Sequence, residues 1–297
     1  YHRFLECWPT VEALAAAELD EVLNAWAGLG YYSRARNLHK AACLVAEKGG
    51  FPRDVKGLLE LPGVGRYTAG AIASMAFGVD ASLVDGNVER VLSRHFGMEL
   101  DLRSKEGKKR IWELADELLW AGRAGDWNQA LMEWGALICH PKSPDCCVCP
   151  VRSTCVALQH GRVAELPVIG KKSKPKPVFS ACGLLLNEER VLLRKRAESG
   201  LLAGLWECPS MPFSENAPSE SEFCAYWQEH VGPLTSGQPR LLGTVKHVFS
   251  HRKLSMQVYG IPTGSEAAED SVWVNPDAPG DAIALSRLTQ KVLALSH

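Results

Sequence analysis

Apolar residues recur at helical spacing along the first 138 residues of the chain. The first predicted helix is capped by Thr10 and ended by Gly28 and Gly30. Its apolar positions are Leu14, Leu19, Val22, Leu23 and Trp26. Further helices are predicted around Leu38, Ala42 and Val45, and over residues 55–61, 66–77, 87–96, 106–121 and 127–138. No alternating strand pattern interrupts these segments, so this half of the chain is predicted to be all-α.

The sequence changes character after residue 160. Residues 161–177 contain five basic residues, one acidic residue and several prolines, so they are predicted to form an exposed basic linker. Beyond them, short β-rich runs and two helical segments predict a smaller α+β domain over residues 178–297. The predicted strands are 178–186, 191–195, 240–249 and 254–261, and the predicted helices are 219–230 and 284–295.

Composition is typical of a globular protein and narrows the choice of partners. Of the 297 residues, 46% are hydrophobic and 23% are charged. No apolar run approaches the roughly 18 residues that a membrane helix needs. The formal net charge is −1, so the charge as a whole indicates no polyanionic partner. A nucleic acid would have to be bound by local basic patches and backbone amides.

Five of the ten cysteines fall within residues 139–155, which is more typical of a metal or cluster site than of disulfides. Four of them form the pattern Cys139-x6-Cys146-x2-Cys149-x5-Cys155. Four thiolates on one short loop can hold a [4Fe–4S] cluster. The alternative is a zinc site, which usually has two CxxC pairs separated by a longer spacer. The uneven spacing favours the cluster, and Cys147 is a fifth thiol outside the pattern.

A glycine-containing turn lies between the two predicted helices 55–61 and 66–77. Its sequence is Leu61-Pro62-Gly63-Val64-Gly65-Arg66-Tyr67. Two glycines one residue apart allow a tight turn that exposes consecutive backbone N–H groups at the start of the next helix. Such a turn can bind a phosphate without a basic side chain, so the candidate contacts are Gly63, Val64, Gly65 and Arg66. The alternative is an ordinary corner between two helices.

An aspartate motif follows about twenty residues downstream, with the sequence Val84-Asp85-Gly86-Asn87. Asp85 stands immediately before a predicted helix, where the helix dipole favours an ionised carboxylate. The motif is therefore a candidate for charge stabilisation in a reaction. The alternative is a simple helix cap.

In this order, the glycine turn, the aspartate motif and the cysteine loop resemble the helix-hairpin-helix DNA glycosylase superfamily with its iron–sulfur loop. Further segments narrow the resemblance to MutY-type adenine DNA glycosylases. They are Gly28-Leu29-Gly30-Tyr31-Tyr32-Ser33-Arg34, Asn128-Gln129-Ala130-Leu131-Met132 and Phe249-Ser250-His251. The resemblance implies a mainly α helix-hairpin-helix domain, a [4Fe–4S] cluster loop, a linker and an α+β MutT-like (Nudix-fold) domain. The corresponding ranges are 1–138, 139–160, 161–177 and 178–297.

The resemblance also implies an activity and a role for several residues. Family members remove adenine mispaired with 8-oxoguanine or guanine in double-stranded DNA, after flipping the adenine out of the helix. Asp85 would stabilise the cationic sugar, electrostatically or through a transient covalent bond, and Asn87 would orient Asp85 or the water. In the related endonuclease III group a lysine stands at the position of Tyr67. Because tyrosine cannot form a Schiff base, a monofunctional glycosylase with Tyr67 near Asp85 is predicted.

Two further contacts with DNA follow from the resemblance. Tyr31 matches the tyrosine that wedges into the base stack beside the lesion. In the second domain, Ser250 would hydrogen-bond the 8-oxoguanine, and Phe249 and His251 would shape that contact. The clustered carboxylates of a Nudix box are missing from the sequence, so this domain is expected to recognise the lesion and not to hydrolyse pyrophosphates.

One residue of the family pattern has no match here. The general-acid glutamate of the family lies upstream of the segment that matches Tyr1-His2-Arg3-Phe4, and no glutamate of this chain has its motif. The chain is therefore expected to be a partial sequence with inefficient adenine excision, because general acid catalysis typically contributes about 10²–10⁴-fold.

Two other functions stay open at this point. One is another glycosylase, either endonuclease III-like with lyase activity or specific for thymine mismatches. The other is a protein that binds DNA lesions without catalysis. Released adenine, a nicked strand, or binding without release would distinguish the three. The expected partner is double-stranded DNA, with no membrane and no second subunit. The expected location is a bacterial cytoplasm, or the nucleus or mitochondrion of a eukaryote.

Overall fold

The computed structural model describes residues 1–170, 174–187, 189–234, 237–261, 271–280 and 283–296. The chain folds into two compact units. The first combines Tyr1–His39 with Ser173–His297, and the second is Lys40–Lys172. The compact units divide the chain after residue 39 and after residue 172. They do not test the domain boundaries expected at residues 138, 160 and 177, which stay predictions.

Residues 1–170 form helices and no strand, which over residues 1–138 is what the apolar periodicity predicted. The α-helices are α1 (His2–Cys7), α2 (Val11–Ala16), α3 (Leu19–Ala25), α4 (Tyr32–Glu47), α5 (Val55–Leu59), α6 (Arg66–Ala71), α7 (Gly86–His95), α8 (Lys105–Glu117), α9 (Ala124–Leu137) and α10 (Val156–Gln159). A π-helical turn, Ile72–Ala76, continues α6, and a 3₁₀ turn, Arg152–Thr154, precedes α10. Helix α1 was not predicted.

The single helix predicted between Thr10 and Gly28 is wrong. Thr10 does cap a helix, since its Oγ1 accepts the Ala13 N–H at 3.2 Å, but that helix ends at Ala16. Ala17 is extended (ψ 148°), and its carbonyl lies 2.9 Å from His39 Nε2. The extended backbone at Ala17 lets its carbonyl face His39, a contact between residues twenty-two positions apart that the apolar pattern does not show.

In the second unit, α7 is the central helix. Its apolar side chains pack with α8 and α9 into one core, whose buried members include Val88, Val91, Leu92, Ile111, Leu114 and Leu131. Gly135 lets α9 approach α7 closely, because a Cβ at this position would lie 2.6 Å from Asn87 Cβ. This close approach places the start of α7 beside the end of α9.

The predicted exposed linker is also wrong over its first part. Leu166 is only 2% exposed, and the Leu102 N–H donates to the Val168 carbonyl at 3.1 Å. The Gly170 N–H donates to Asp101 Oδ1 at 2.8 Å. These contacts hold residues 166–170 against the helices of the second unit. Residues 171–173 lie outside the described residues, and the first strand already begins at Lys176.

The C-terminal part of the first unit is a six-stranded mixed sheet with two helices, as the α+β prediction required. Its elements are β1 (Lys176–Asn187), β2 (Arg190–Lys195), β3 (Trp206–Glu207), α11 (Glu220–His230), β4 (Arg240–Val248), β5 (Arg252–Ile261), β6 (Ser271–Val274) and α12 (Arg287–Leu293). The strand order is β3-β2-β1-β5-β4, and β6 also pairs with β2. β1 and β5 are parallel, whereas the other pairs are antiparallel. The short strands β3 and β6 were not predicted.

A helix packs on each face of this sheet. Alternate residues of a strand point to opposite faces, so β1 contributes side chains to the packing on both. Cys182 and Leu184 of β1 pack in the cluster that contains α12 residues. Ala181 and Leu185 pack in the cluster that contains Phe223 and Trp227 of α11. Among the described helices, none is long and apolar enough to cross a membrane.

Gly183 of β1 has no space for a side chain. A Cβ there would lie 1.9 Å from Cζ3 of the fully buried Trp227. We expect Gly183→Ala to lower the free energy of unfolding by about 1–3 kcal/mol, because the indole would have to move within a packed core. Denaturant titration of the whole chain measures this. Gly243→Ala in β4 is the control, since its Cβ would meet Leu295 at an ordinary 3.6 Å; equal stability of the two variants would contradict the expectation.

Candidate active site

Asp85 stands immediately before α7, as the sequence predicted, and it caps the N-terminus of that helix, which is the alternative that the sequence left open. Its Oδ1 accepts the N–H groups of Asn87 at 2.8 Å and Val88 at 2.7 Å. Its Oδ2 accepts the Asn87 side-chain amide at 3.0 Å. The carboxylate is thus fixed from one side by three hydrogen bonds, while Asp85 itself stays half-buried and can be reached. A fixed and accessible negative group can stabilise positive charge that develops on a bound substrate.

Arg90, one turn further along α7, extends this network. Its Nη2 donates to Asn87 Oδ1 at 2.8 Å and to the Gly135 carbonyl of α9 at 2.7 Å. Its Nε donates to the Cys139 carbonyl at 2.6 Å. Burial lowers the pKa of the Arg90 guanidinium, and the nearby charges of Cys139 and Asp85 oppose that change. Hydrogen bonds therefore run without interruption from Asp85 to the first cysteine of the predicted cluster loop.

Arg94 holds the same loop one turn later. The side chain is buried and donates to three backbone carbonyls within 2.7–3.0 Å, those of His140, Pro141 and Leu166. Its Nη1 also lies 3.4 Å from Cys139 Sγ. In return, the Cys155 thiol contacts the Arg94 carbonyl at 3.6 Å. Arg90 and Arg94 of α7 thus contact the first cysteine of the loop, and Arg94 also contacts the last, Cys155.

The four cysteines of the predicted pattern line one pocket. They are Cys139, Cys146, Cys149 and Cys155, and all four are free thiols. Burial raises the pKa of the Cys146 thiol, and the charges of the other three raise it further. Cys147, the fifth thiol, is exposed and does not line this cavity.

The walls of this pocket contain thiols and buried nitrogens. Among the described residues, no three His, Cys, Asp or Glu side chains lie close enough to share one metal ion. Two buried nitrogens of residues in the cavity wall, His95 Nδ1 and Trp134 Nε1, also have no hydrogen-bond partner among the described protein atoms. Buried donors and four thiols around one space suit a sulfur-rich group.

The glycine turn has the predicted form. Gly63 has a positive φ of 78°, and Gly65 precedes α6. The first i→i−4 hydrogen bond of α6 runs from Ala69 N to Gly65 O at 2.8 Å, so the amides before Ala69 precede the helical ladder. The Arg66 side chain lies over Trp112, 3.8 Å from the ring centroid, and pairs with Asp116 at 3.2 Å.

Among the described hydrogen bonds, none joins Tyr67 to the network around Asp85. Its side chain is 41% exposed, and its hydroxyl lies 3.9 Å from Met132 Sδ. Met132 belongs to the segment Asn128–Met132 that also carried the family resemblance. The neighbourhood of Tyr67 and Asp85 stays a prediction.

The remaining two predicted sites belong to the other compact unit. Tyr31 is 66% exposed and adopts a left-handed backbone conformation (φ 48°). The segment Phe249–His251 is the tight turn between β4 and β5, closed by the Phe249 N–H that donates to the Arg252 carbonyl at 2.8 Å. Phe249 packs 4.6 Å from the His247 ring, whereas Ser250 and His251 are exposed.

Three residues of α7 were missed by the sequence analysis. Arg90 and Arg94 could have been suspected, because a buried arginine at helical spacing after Asp85 must find several acceptors. Glu89 is the third. Burial and then the negative charge of Asp85 raise its pKa, while Lys108 lowers it. The i, i+4 spacing of Asp85 and Glu89 was the available signal.

Comparison with known proteins agrees with this arrangement. A family model described as "HhH-GPD superfamily base excision DNA repair protein" matches residues 1–117, and a "NUDIX domain" model matches 181–295. Human adenine DNA glycosylase is 39% identical over 310 aligned residues, which cover 88% of this chain and 57% of that protein. The chain thus spans less than two thirds of the human relative. A solved thermostable thymine-DNA glycosylase aligns with 54% of this chain and 75% of its own, at 33% identity and a TM-score of 0.49.

A bacterial relative is matched over more of its length. Adenine DNA glycosylase of Buchnera aphidicola subsp. Acyrthosiphon pisum is 33% identical over 301 residues, which cover 99% of this chain and 83% of that protein. The two family models also agree with the helical and α+β parts of the fold. This chain therefore belongs to the family of adenine DNA glycosylases.

Proposed function

We propose that the protein is a monofunctional adenine DNA glycosylase of base excision repair, which removes adenine opposite 8-oxoguanine or guanine. The observation that carries this proposal is Asp85, held by three hydrogen bonds at the start of α7 and still accessible. Hydrolysis of an N-glycosidic bond builds positive charge on the sugar as adenine leaves. A carboxylate that is already fixed stabilises that charge without reorganising during the reaction.

Asn87 and Tyr67 have different parts in this proposal. The Asn87 amide donates to Asp85 Oδ2 at 3.0 Å, so it fixes the rotamer of the carboxylate. Tyr67 occupies the position at which the endonuclease III group has a lysine. A phenol has no amine for a Schiff base, so the chain should leave an abasic site and not a nicked strand.

We further propose that the cysteine loop holds a [4Fe–4S] cluster through Cys139, Cys146, Cys149 and Cys155. The helix-hairpin-helix glycosylases are generally iron–sulfur proteins, and the four thiols of this chain line one cavity. When bound, a cluster would cross-link the loop through its Fe–S bonds. Because Arg90 bonds to the Cys139 carbonyl, an ordered loop would also help to hold Asn87 and Asp85 in place.

DNA would be bound by three separate elements. The Gly65 and Arg66 amides can donate to a backbone phosphate at the start of α6, whereas the Val64 N–H already donates to the Leu61 carbonyl at 3.1 Å. Tyr31 is exposed and can stack on a base, which is worth roughly 1–3 kcal/mol. Ser250 is exposed on a turn that Phe249 anchors, so its hydroxyl can hydrogen-bond an 8-oxoguanine. His251 lines a pocket together with the basic residues Lys174, Lys176 and Arg252.

Asp85→Asn tests the proposed chemistry. Asparagine can still accept the backbone N–H bonds but carries no charge. Single-turnover adenine release should therefore fall by about 10²–10³-fold relative to the parent chain. Binding to an A·8-oxoguanine duplex should be retained. Alkali treatment reveals the abasic sites, and omission of alkali detects strand scission. Asp126→Asn is the control, because Asp126 is exposed and pairs with Arg123 alone among the described ion pairs.

The possible outcomes distinguish the alternatives. Scission without alkali would favour an endonuclease III-like lyase. Lesion-dependent binding by the parent chain without any adenine release would show that these 297 residues bind the lesion without catalysing excision. Equal release by Asp85→Asn and the parent would remove Asp85 from the mechanism.

Cys146→Ser and Cys147→Ser test the cluster, because the two cysteines are adjacent but only Cys146 lines the cavity. Cys146→Ser should lose iron and visible absorbance, since one thiolate ligand is missing. Cys147→Ser should keep about four irons per chain, as the parent does. Metal analysis of protein purified without oxygen measures this. One zinc per chain, or equal iron in the two variants, would contradict the assignment.

A further inference from the structure

The turn that presents Tyr31 has an unfavourable backbone. Tyr31 has a φ of 48°, and the two glycines before it, Gly28 and Gly30, have φ values of 86° and 69°. A residue with a Cβ in the left-handed region is destabilised and persists only when its surroundings hold it there. We call residues 28–32 the wedge turn. Its conformation must therefore be maintained by contacts outside Tyr31 itself.

Tyr32 supplies one contact of the wedge turn, and the Trp26 indole N–H supplies another by donating to the Gly30 carbonyl at 3.0 Å. The Tyr32 side chain is 6% exposed, and its hydroxyl accepts the Gly28 N–H at 3.4 Å. The same hydroxyl donates to the Leu285 carbonyl at 3.0 Å. Leu285 is itself buried in the sheet core and forms a bridge with Trp206. One buried hydroxyl thus joins the wedge turn to the core of the MutT-like domain.

Neighbouring contacts attach the same helices to that domain. Arg36, one turn after Tyr32, donates from Nη1 to the carbonyl of the buried Ala203 at 2.6 Å. Asp20 of α3 pairs with Lys195 of β2 at 2.7 Å. The buried Leu23 packs against Gly204, with its Cδ1 3.6 Å from the place of a Cβ. All these residues belong to one compact unit.

We propose that the MutT-like domain positions Tyr31, the residue that wedges into DNA. Tyr32, supported by Arg36, holds the wedge turn in a fixed position against the sheet core. Tyr32 and Arg36 are positioning residues. This inference rests on the proposed function, because it requires that Tyr31 stacks on DNA. It gives the MutT-like domain a second role, separate from lesion recognition by the turn Phe249–His251.

The test is a double-mutant cycle on the whole chain, with Tyr31→Ala, Tyr32→Phe and both together. Tyr32→Phe keeps the buried ring and removes only the hydroxyl. Affinity is measured for a duplex that contains adenine opposite 8-oxoguanine, and the fluorescence of 2-aminopurine beside the mispair reports unstacking. Tyr226→Phe is the matched control, because its hydroxyl also donates to a backbone carbonyl, that of Ser210 at 3.0 Å, but does not touch the wedge turn.

We expect Tyr31→Ala to weaken binding by about 5–150-fold, the change that corresponds to base stacking on an aromatic ring. Tyr32→Phe should weaken binding by about 3–10-fold and reduce the 2-aminopurine signal, whereas Tyr226→Phe should do neither. In the Tyr31→Ala background, Tyr32→Phe should have no further effect, because its influence passes through Tyr31.

Two results would overturn the inference, and they have different meanings. If Tyr31→Ala weakens binding but Tyr32→Phe has no effect, or has the same effect in both backgrounds, the positioning role alone fails. If Tyr31→Ala changes neither affinity nor fluorescence, the wedge assignment within the proposed function fails, and the inference fails with it.

Discussion

The placement of Arg90 is the constraint on which the candidate active site depends. A guanidinium buried at the junction of α7, α9 and the cysteine loop must find an acceptor for nearly every N–H, since an unpaired buried charge is costly. Here it bonds Asn87, Gly86, Gly135 and Cys139. Any movement of the cysteine loop or of α9 would break one of these bonds. The position of Asp85 therefore depends on the packing of the whole unit.

The two compact units solve the same problem in different ways, since each must hold an accessible group in a fixed position. In the second unit, charged hydrogen bonds fix an aspartate at a helix start. In the first, a packed sheet core fixes exposed residues at its margin: Phe249 anchors the turn that presents Ser250, and Tyr32 anchors the turn that presents Tyr31. In both units, the contacts of nearby residues determine where the accessible group lies.

Periodicity and motif spacing predicted the all-α and α+β halves, most helices and the cysteines that line one cavity. They failed where tertiary contacts decide the local structure. The break at Ala17 depends on His39, twenty-two residues away, and Leu166 is buried because the backbone around Val168 pairs with Leu102. The hydrogen-bond partners of Arg90 and Tyr32 were not visible either, because each partner is a carbonyl that is distant in sequence, that of Cys139 or Leu285.

The most direct test of this account is the rate of adenine release by Arg90→Lys under single-turnover conditions. Lysine keeps the charge but cannot bond Asn87, Gly135 and Cys139 together, because its ammonium lacks the planar fork of arginine. Small displacements of a catalytic group cost about 10²-fold, so the account predicts a fall of about that size. Arg110→Lys on the exposed face of α8 should release adenine as the parent does. Unchanged release by Arg90→Lys would contradict the claim that this arginine holds Asp85 in its working position.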